Sequence, residues 1–288
     1  MTAGESLLVD DRGGVRTLTL NRPARKNALD SGLWDALRNA LDEAGQDPEV
    51  RVLVVTGAGG AFCSGADLSN PGRAHPLRKM RVLTDIALLL HELPVPTIAK
   101  IDGVAVGAGW NLALGCDFVV ATPRSTFSQI FSRRGLSLDL GGSWLLPKLV
   151  GLQQAKRLAL LAETIDAEHA HRLNLVTWVE PEDTIDAFVD DLAGRLVAGP
   201  PVALAQTKAL LNEGADRTLR ESLAGEARAQ AVNFATADAP EAFAAFAEKR
   251  DARFTGRWAI GGAAAAKSAP GASGVRQQPD TNGREEDA

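Results

Sequence analysis

Two apolar runs, each ending in a cluster of glycines, constrain this chain more than any other feature. Val52-Leu53-Val54-Val55 is continuous and mostly β-branched, as for a strand covered on both faces. It leads directly into a glycine-rich loop, Gly57 to Gly65. Thr97 to Ile101 is a second such strand, and Gly103, Gly107 and Gly109 follow it. Strand signals alternate with helix signals around both, which points to an α/β fold. Val15 to Leu20 alternates with period two, the mark of a half-buried strand. Asp30 or Ser31 can cap a helix whose apolar face is Leu33, Trp34, Leu37 and Leu41. A helical pattern of Val82, Ile86, Leu89, Leu90 and Leu93 stops at Pro94 and Pro96. A short helix is expected over 109–115 and a further strand over 118–121.

From Gly142 onward the signals are mostly helical, over 152–161, 183–198, 201–211, 217–235 and 239–250. The expected organisation is a core over 1–200, a helical C-terminal region over 201–260 and a tail over 261–288. The tail holds Val275 as its only branched aliphatic residue. That is too little apolar surface to offset the entropy of ordering, so disorder is expected there.

Composition removes several classes of function. The sum of 31 basic and 36 acidic residues is −5 with His neutral, so no net-basic face neutralises phosphates and a nucleic-acid partner is not expected. Cys63 and Cys116 are too few for a disulfide framework and lack CxxC spacing. The opening MTAGESLLVDD carries acids where a signal peptide needs basic and then apolar residues. The uncharged stretch Gly103 to Cys116 is too short and glycine-rich to span a bilayer. The expectation is a cytoplasmic protein with no membrane partner.

The two glycine-rich loops are the first chemical candidates. Small residues let main-chain N–H groups approach a ligand, and a helix start aims more of them at negative charge. One N–H from each loop can hold a developing oxyanion; two ordinary tight turns are the alternative. Gly107-x-Gly109 lacks the third glycine of a dinucleotide fingerprint. His169 and His171 lie two apart on a helix and face apart, and no metal site is expected. His75 and His91 have no acidic cluster beside them, and Cys63 has no evident His partner. No GxSxG elbow occurs. Arg73, Arg78, Lys79 and Arg81 form either a solvated helical face or a phosphate-binding one.

Several stretches together resemble the crotonase (enoyl-CoA hydratase/isomerase) superfamily. They are Asn21-Arg22-Pro23 with Asn27-Ala28-Leu29, Ala61 to Leu68, Pro96 to Ala99, and Asp102 to Gly109. Others are Leu112 to Asp117, Gly135-Leu136, Asp139 to Trp144, and Phe254-Thr255-Gly256. They cover roughly residues 10–258 in the family's order. The resemblance implies a crotonase (ClpP-like) β-β-α spiral core with a helical C-terminal trimerisation region. It implies acyl-CoA thioester substrates, coenzyme A as part of the substrate rather than a cofactor, and a homotrimer or hexamer. It implies that the N–H groups of Ala66 and Ala108 polarise the thioester carbonyl, with Phe62, Asp67, Leu68 and Gly107 around them. Arg25 and Lys26 then lie against the nucleotide, and Phe246, Lys249 and Phe254 of a neighbouring subunit close the site.

Departures from the pattern decide the expected reaction. Hydratases of the family carry two glutamates, at the positions of Asn111 and Phe131 here. An amide and a phenyl ring supply neither the base nor the acid that hydration needs. One carboxylate remains, Asp139, where the superfamily's phenylacetate-pathway epoxide isomerase and dienoyl-CoA isomerases have an aspartate. One carboxylate suffices for a 1,3-proton shift. Flanked by Leu138 and Leu140 and near Trp144, it is expected to be desolvated with a raised pKa. Its competing reading is a cap for a helix starting near Gly142. Trp110 and Phe131 either shape the acyl pocket or pack the core, Asn111 and Trp144 are expected with Phe131 among the substrate-binding residues, and the pocket walls are expected from 70–92 and 131–146. The expected function is enoyl-CoA isomerisation; hydration is the runner-up, and an inactive acyl-CoA-binding protein is a further alternative.

Overall fold

A Gly13-Gly14 turn folds the start of the chain into a hairpin, β1 (Leu7–Arg12) against β2 (Val15–Leu20). The pattern reading missed β1, although two glycines between apolar runs are a hairpin signal. The computed structural model describes residues 5–69 and 75–259; the expected tail at 261–288 and Arg73 lie outside them. α1 (Ser31–Gln46) follows, capped by Asp30, whose side chain accepts the Leu33 N–H at 2.9 Å. The expected cap and apolar face are both present, with Leu33, Trp34, Leu37 and Leu41 buried.

The chain then lays down β3 (Val52–Gly57), α2 (Pro76–His91), β4 (Thr97–Ile101), β5 (Val104–Val106), α3 (Ala108–Leu114), β6 (Phe118–Ala121) and β7 (Thr126–Ser128). Next come α4 (Gly142–Val150), α5 (Leu152–Leu161), β8 (Thr164–Asp166), α6 (Ala167–Arg172), β9 (Trp178–Val179) and α7 (Ile185–Ala198). The C-terminal helices are α8 (Pro201–Gly214), α9 (Leu219–Phe234) and α10 (Asp238–Glu248). The short helix expected at 109–115 therefore starts one residue earlier, a shift that matters below.

A six-stranded sheet runs β1-β2-β3-β4-β6-β9, antiparallel only at its first pair. A three-stranded sheet, β5-β7-β8, carries the turns of the spiral. The run 52–55 is buried on both faces, as its composition predicts. Leu53 and Val55 join the main core with α1 and α2, while Val52 and Val54 face α7 through Val189 and Leu192. Each fully buried aliphatic side chain contributes about 1.5–3 kcal/mol, so this strand is the anchor from which the first loop springs. Among the described residues no helix is long and apolar enough to cross a membrane.

Candidate active site

The loop after β3 is clamped from below by Asn27, which is fully buried at φ 55°. Its amide donates to Ala58 O at 2.9 Å and Ala61 O at 2.7 Å, and its Oδ1 accepts the Arg22 N–H at 2.8 Å. The same loop is zipped to the one after β4. Phe62 and Cys63 N–H groups donate to Val104 O at 3.1 and 3.0 Å, and Val106 N–H donates to Cys63 O at 3.0 Å. Gly65 sits at φ +88°, and a Cβ there would stand 3.0 Å from Val106 O and 3.8 Å from Ala108 N. Only glycine combines that dihedral with that approach. The consequence is that Ala66 and Ala108 present their main chains side by side.

Neither the Ala66 nor the Ala108 N–H donates to an acceptor among the described residues. Ala108 is the first residue of α3, with Gly107 as its cap. Its N–H is one that no helix can satisfy internally, and it lies at the positive end of the helix dipole. Two unpaired main-chain N–H groups on neighbouring loops are thus available to an acceptor from outside the chain, which is what an oxyanion hole needs.

Asp139 stands in the loop before α4. Its side chain does not cap that helix: Gly141 is the N-cap, and Asp139 contributes only its carbonyl, which accepts the Gly142 N–H at 2.9 Å. One carboxylate oxygen, Oδ1, is buried and without a hydrogen-bond partner among the described residues. Burial pushes the Asp139 carboxyl up to about 6 from its ordinary 3.8, with no charged partner contributing. A carboxyl in that state is mostly ionised at neutrality yet a stronger base than an ordinary carboxylate, so it can both take and return a proton.

Asn111 lies one turn into α3 and is 1% exposed. Its Nδ2 donates to the Asp139 carbonyl at 2.9 Å, and its Oδ1 accepts from Gln129 Nε2 at 2.8 Å. Gly142 allows this packing, because a Cβ there would lie 2.3–2.7 Å from the Asn111 amide. A cavity of about 300 Å³ opens beside these residues. Its walls are almost wholly apolar, including Ile86, Leu88 and Leu90 of α2, Leu140, and Trp144 and Leu145 of α4. His91 joins them edge-on to Trp144 at 5.0 Å, with its pKa lowered chiefly by burial. Two of the expected wall segments thus meet, at 86–91 and 140–145.

The chain matches the enoyl-CoA hydratase/isomerase family model over residues 10–257. It is 40% identical to a Rhodobacter capsulatus protein named "Probable enoyl-CoA hydratase", over 85% of this chain and 95% of that one. It is 36% identical to the 1,2-epoxyphenylacetyl-CoA isomerase of Escherichia coli, over 88% of this chain and 99% of that one. The crystal structure of an enoyl-CoA hydratase from Bacillus anthracis superposes with a TM-score of 0.83 at 29% identity, covering 88% of this chain and all (100%) of that one. The chain belongs to the enoyl-CoA hydratase/isomerase family.

Family membership makes the placement of the remaining expected residues informative. Phe62 and Trp110 are fully buried in the main core, Trp110 against Phe127 at 5.4 Å, so both pack there rather than line the apolar cavity. Phe131 is buried close to Gly107. Asp67 fixes its own loop: Ser69 and Arg22 donate to it and hold its carboxyl at about 2. Leu68 is exposed. Arg25 and Lys26 are exposed, and their carbonyls accept from Ser64, two residues before Ala66. Cys63 is sealed in the core with its thiol pushed up to about 12 by burial, which removes it as a nucleophile. Phe246, Lys249 and Phe254 lie on the C-terminal helical arm, with Phe246 88% exposed. Among the described residues no group of three His, Cys, Asp or Glu is placed to hold a metal.

Sequence reasoning missed Gln129 altogether; it named Asn27 only within a matching stretch and His91 only to set it aside. Nothing in the local pattern marks Gln129, because its partner is 18 residues away on another element.

Proposed function

We propose that this member of the family is an enoyl-CoA isomerase that moves a double bond with Asp139 as the single proton carrier. The observation that carries the reading is the half-buried carboxyl of Asp139, pushed up to about 6 by desolvation, with a buried oxygen that has no partner among the described residues. The thioester carbonyl of a 3-enoyl-CoA accepts from the N–H groups of Ala66 and Ala108. The Asp139 carboxylate takes a proton from C2; the C–H electron pair forms the enolate, whose oxygen the two donors stabilise by about 3–4 kcal/mol each. The dienolate pair then takes the proton back from Asp139 at C4, leaving the 2-enoyl-CoA and a regenerated carboxylate. No water is consumed, and no group beyond the substrate's own coenzyme A is required. The 300 Å³ apolar cavity receives the acyl chain, and Arg25 and Lys26 flank the nucleotide end.

Hydration of a 2-enoyl-CoA is the second reading, favoured by the names that most of the relatives carry. Side-by-side assays of 3-enoyl-CoA and crotonyl-CoA separate the two. Isomerisation lost in Asp139→Asn, with binding of a CoA thioester retained, supports the proposal. Hydration that survives Asp139→Asn overturns both the reaction and the residue. Binding without turnover of either substrate would leave an acyl-CoA-binding protein.

The working form we propose is a trimer or a dimer of trimers. α9 and α10 leave Leu219, Leu223, Phe234, Phe243 and Phe246 exposed, more apolar surface than a lone arm keeps in water. In that assembly Phe246, Lys249 and Phe254 would close a neighbour's site.

A further inference from the structure

The hydratase-type glutamate position is not simply vacated in this chain; the residue there has been given other work. Asn111 is almost wholly buried, and both ends of its amide are engaged. It belongs to α3, three residues after the oxyanion donor Ala108, which is a rise of about 4.5 Å along the helix. Its Nδ2 reaches across to the carbonyl of Asp139 at 2.9 Å. The Asp139 carbonyl can only accept, so it selects the Nδ2 end of the amide, and Gln129 Nε2 holds the opposite end by donating to Oδ1 at 2.8 Å. Gly142, three residues beyond Asp139, lies so close that no Cβ fits between it and the amide. Because α3 is a rigid rod, any shift of the Asp139 main chain relative to Ala108 must break this amide contact or the Gly142 packing.

We propose that Asn111, oriented by Gln129, is a positioning residue that fixes the Asp139 carboxyl at a set distance from the oxyanion hole. This rests on the isomerase reading above. Asn111 also borders the apolar cavity, but both hydrogen-bonding ends of its amide are engaged with protein groups, so it has no polar group left to offer a substrate. It also explains why a carboxyl with a free, buried oxygen does not relax toward solvent: the loop carrying it is tied to the helix at its own carbonyl. A geometric offset of about 1 Å in such a group typically costs on the order of 10²-fold in rate.

The experiment uses the full chain, a 3-enoyl-CoA deuterated at C2, and active sites counted by titration with a non-reacting CoA thioether. Asn111→Ala is expected to lower kcat at least tenfold per active site while KM stays within threefold. The fraction of deuterium carried from C2 to C4 should fall with it, because a displaced carboxyl exchanges with solvent before returning its proton. That fraction does not depend on how much enzyme is folded, so a merely structural role would leave it unmoved. Gln129→Met, which removes the orienting bond without touching Asn111, should lower kcat three- to tenfold with the same sign in the label. It decides the matter if Asn111→Ala does not fold. Wild-type kcat and label transfer in either folded variant, or a loss confined to KM, overturns the proposal. Wild-type isomerisation by Asp139→Asn is a separate failure: it removes the isomerase reading itself and the positioning role with it.

Discussion

The α3–α4 junction and the C-terminal arm of α8–α10 depart from the rules of a folded chain in opposite directions. At the junction polar groups are buried and some lack partners: the N–H of Ala108 and Oδ1 of Asp139. On the arm apolar groups are exposed: Leu211 at 72%, Leu219 at 76% and Phe246 at 88%. A buried polar group without a partner costs free energy unless a ligand supplies one, so the first region is built around something that binds. Exposed apolar surface is uncovered area, and it is this area that the proposed trimer would cover. The arm's own ties to the core are polar and few. Lys208 of α8 bonds the Val95 carbonyl and pairs with Asp117 at 2.8 Å, and Asn212 bonds the His91 carbonyl. No α8 residue is fully buried.

The sharpest way to break this contrast is at the junction. Asp139→Asn should cut isomerisation by about 10²–10⁴-fold, with CoA-thioester binding kept, as measured by initial rates and calorimetry. Ala108→Pro removes one oxyanion donor at a helix position that tolerates proline. It should cost about 10²–10³ in kcat while the circular dichroism stays that of the wild type. A wild-type rate in either would mean the unpaired groups there are not chemical.

On the arm, charges placed at Leu223 and Phe234 (Leu223→Asp with Phe234→Asp) should drive the protein to monomer in light scattering at micromolar concentration. A wild-type chain that is already monomeric would end the claim that this surface is covered by a copy of itself.

A smaller effect tests the energetic side of the junction. The folded protein holds the Asp139 carboxyl at about 6 against an ordinary 3.8. Between those values the native state binds more protons than the unfolded chain, so this group's contribution to stability worsens as pH rises through the window. Asp139→Asn should therefore stabilise the fold at pH 7–8 by up to about 2–3 kcal/mol, with the gain fading as pH falls toward 4. Denaturant titrations at pH 4, 6 and 8 check the sign. With Asp139 as the proposed proton carrier, the acid limb of kcat/KM should fall near pH 6, as initial rates across pH would show. The smallest effect belongs to the arm. Thr218 and Glu221 form a reciprocal capping box at the start of α9. Thr218→Ala should cost about 1 kcal/mol in unfolding free energy and nothing in kcat per active site.

Local pattern carried much of this molecule. The continuous apolar run 52–55 could only be a strand covered twice, and the structure sets it between α1 and α7. Asp30 could cap only what followed it, and it does. Glycines at 65, 107 and 109 announced close approach, and added Cβ atoms there would meet Val106 O, Ile130 and Cys63. The candidate proton carrier we propose was also named from pattern, because removing two glutamates from a family pattern leaves one carboxyl to consider. What pattern could not decide were relations between residues far apart in sequence. Whether Asp139 capped α4 or stood free depended on where Gly141 turned the chain. Whether Trp110 lined a cavity or packed against Phe127 depended on which face of α3 met the core. The link from Gln129 through Asn111 to the Asp139 carbonyl spans three segments and has no period or motif. Sequence fixes what depends on neighbours three or four residues away, since those are set by the backbone's own geometry. Which buried polar group finds a partner is settled only when the sheets and helices close around it.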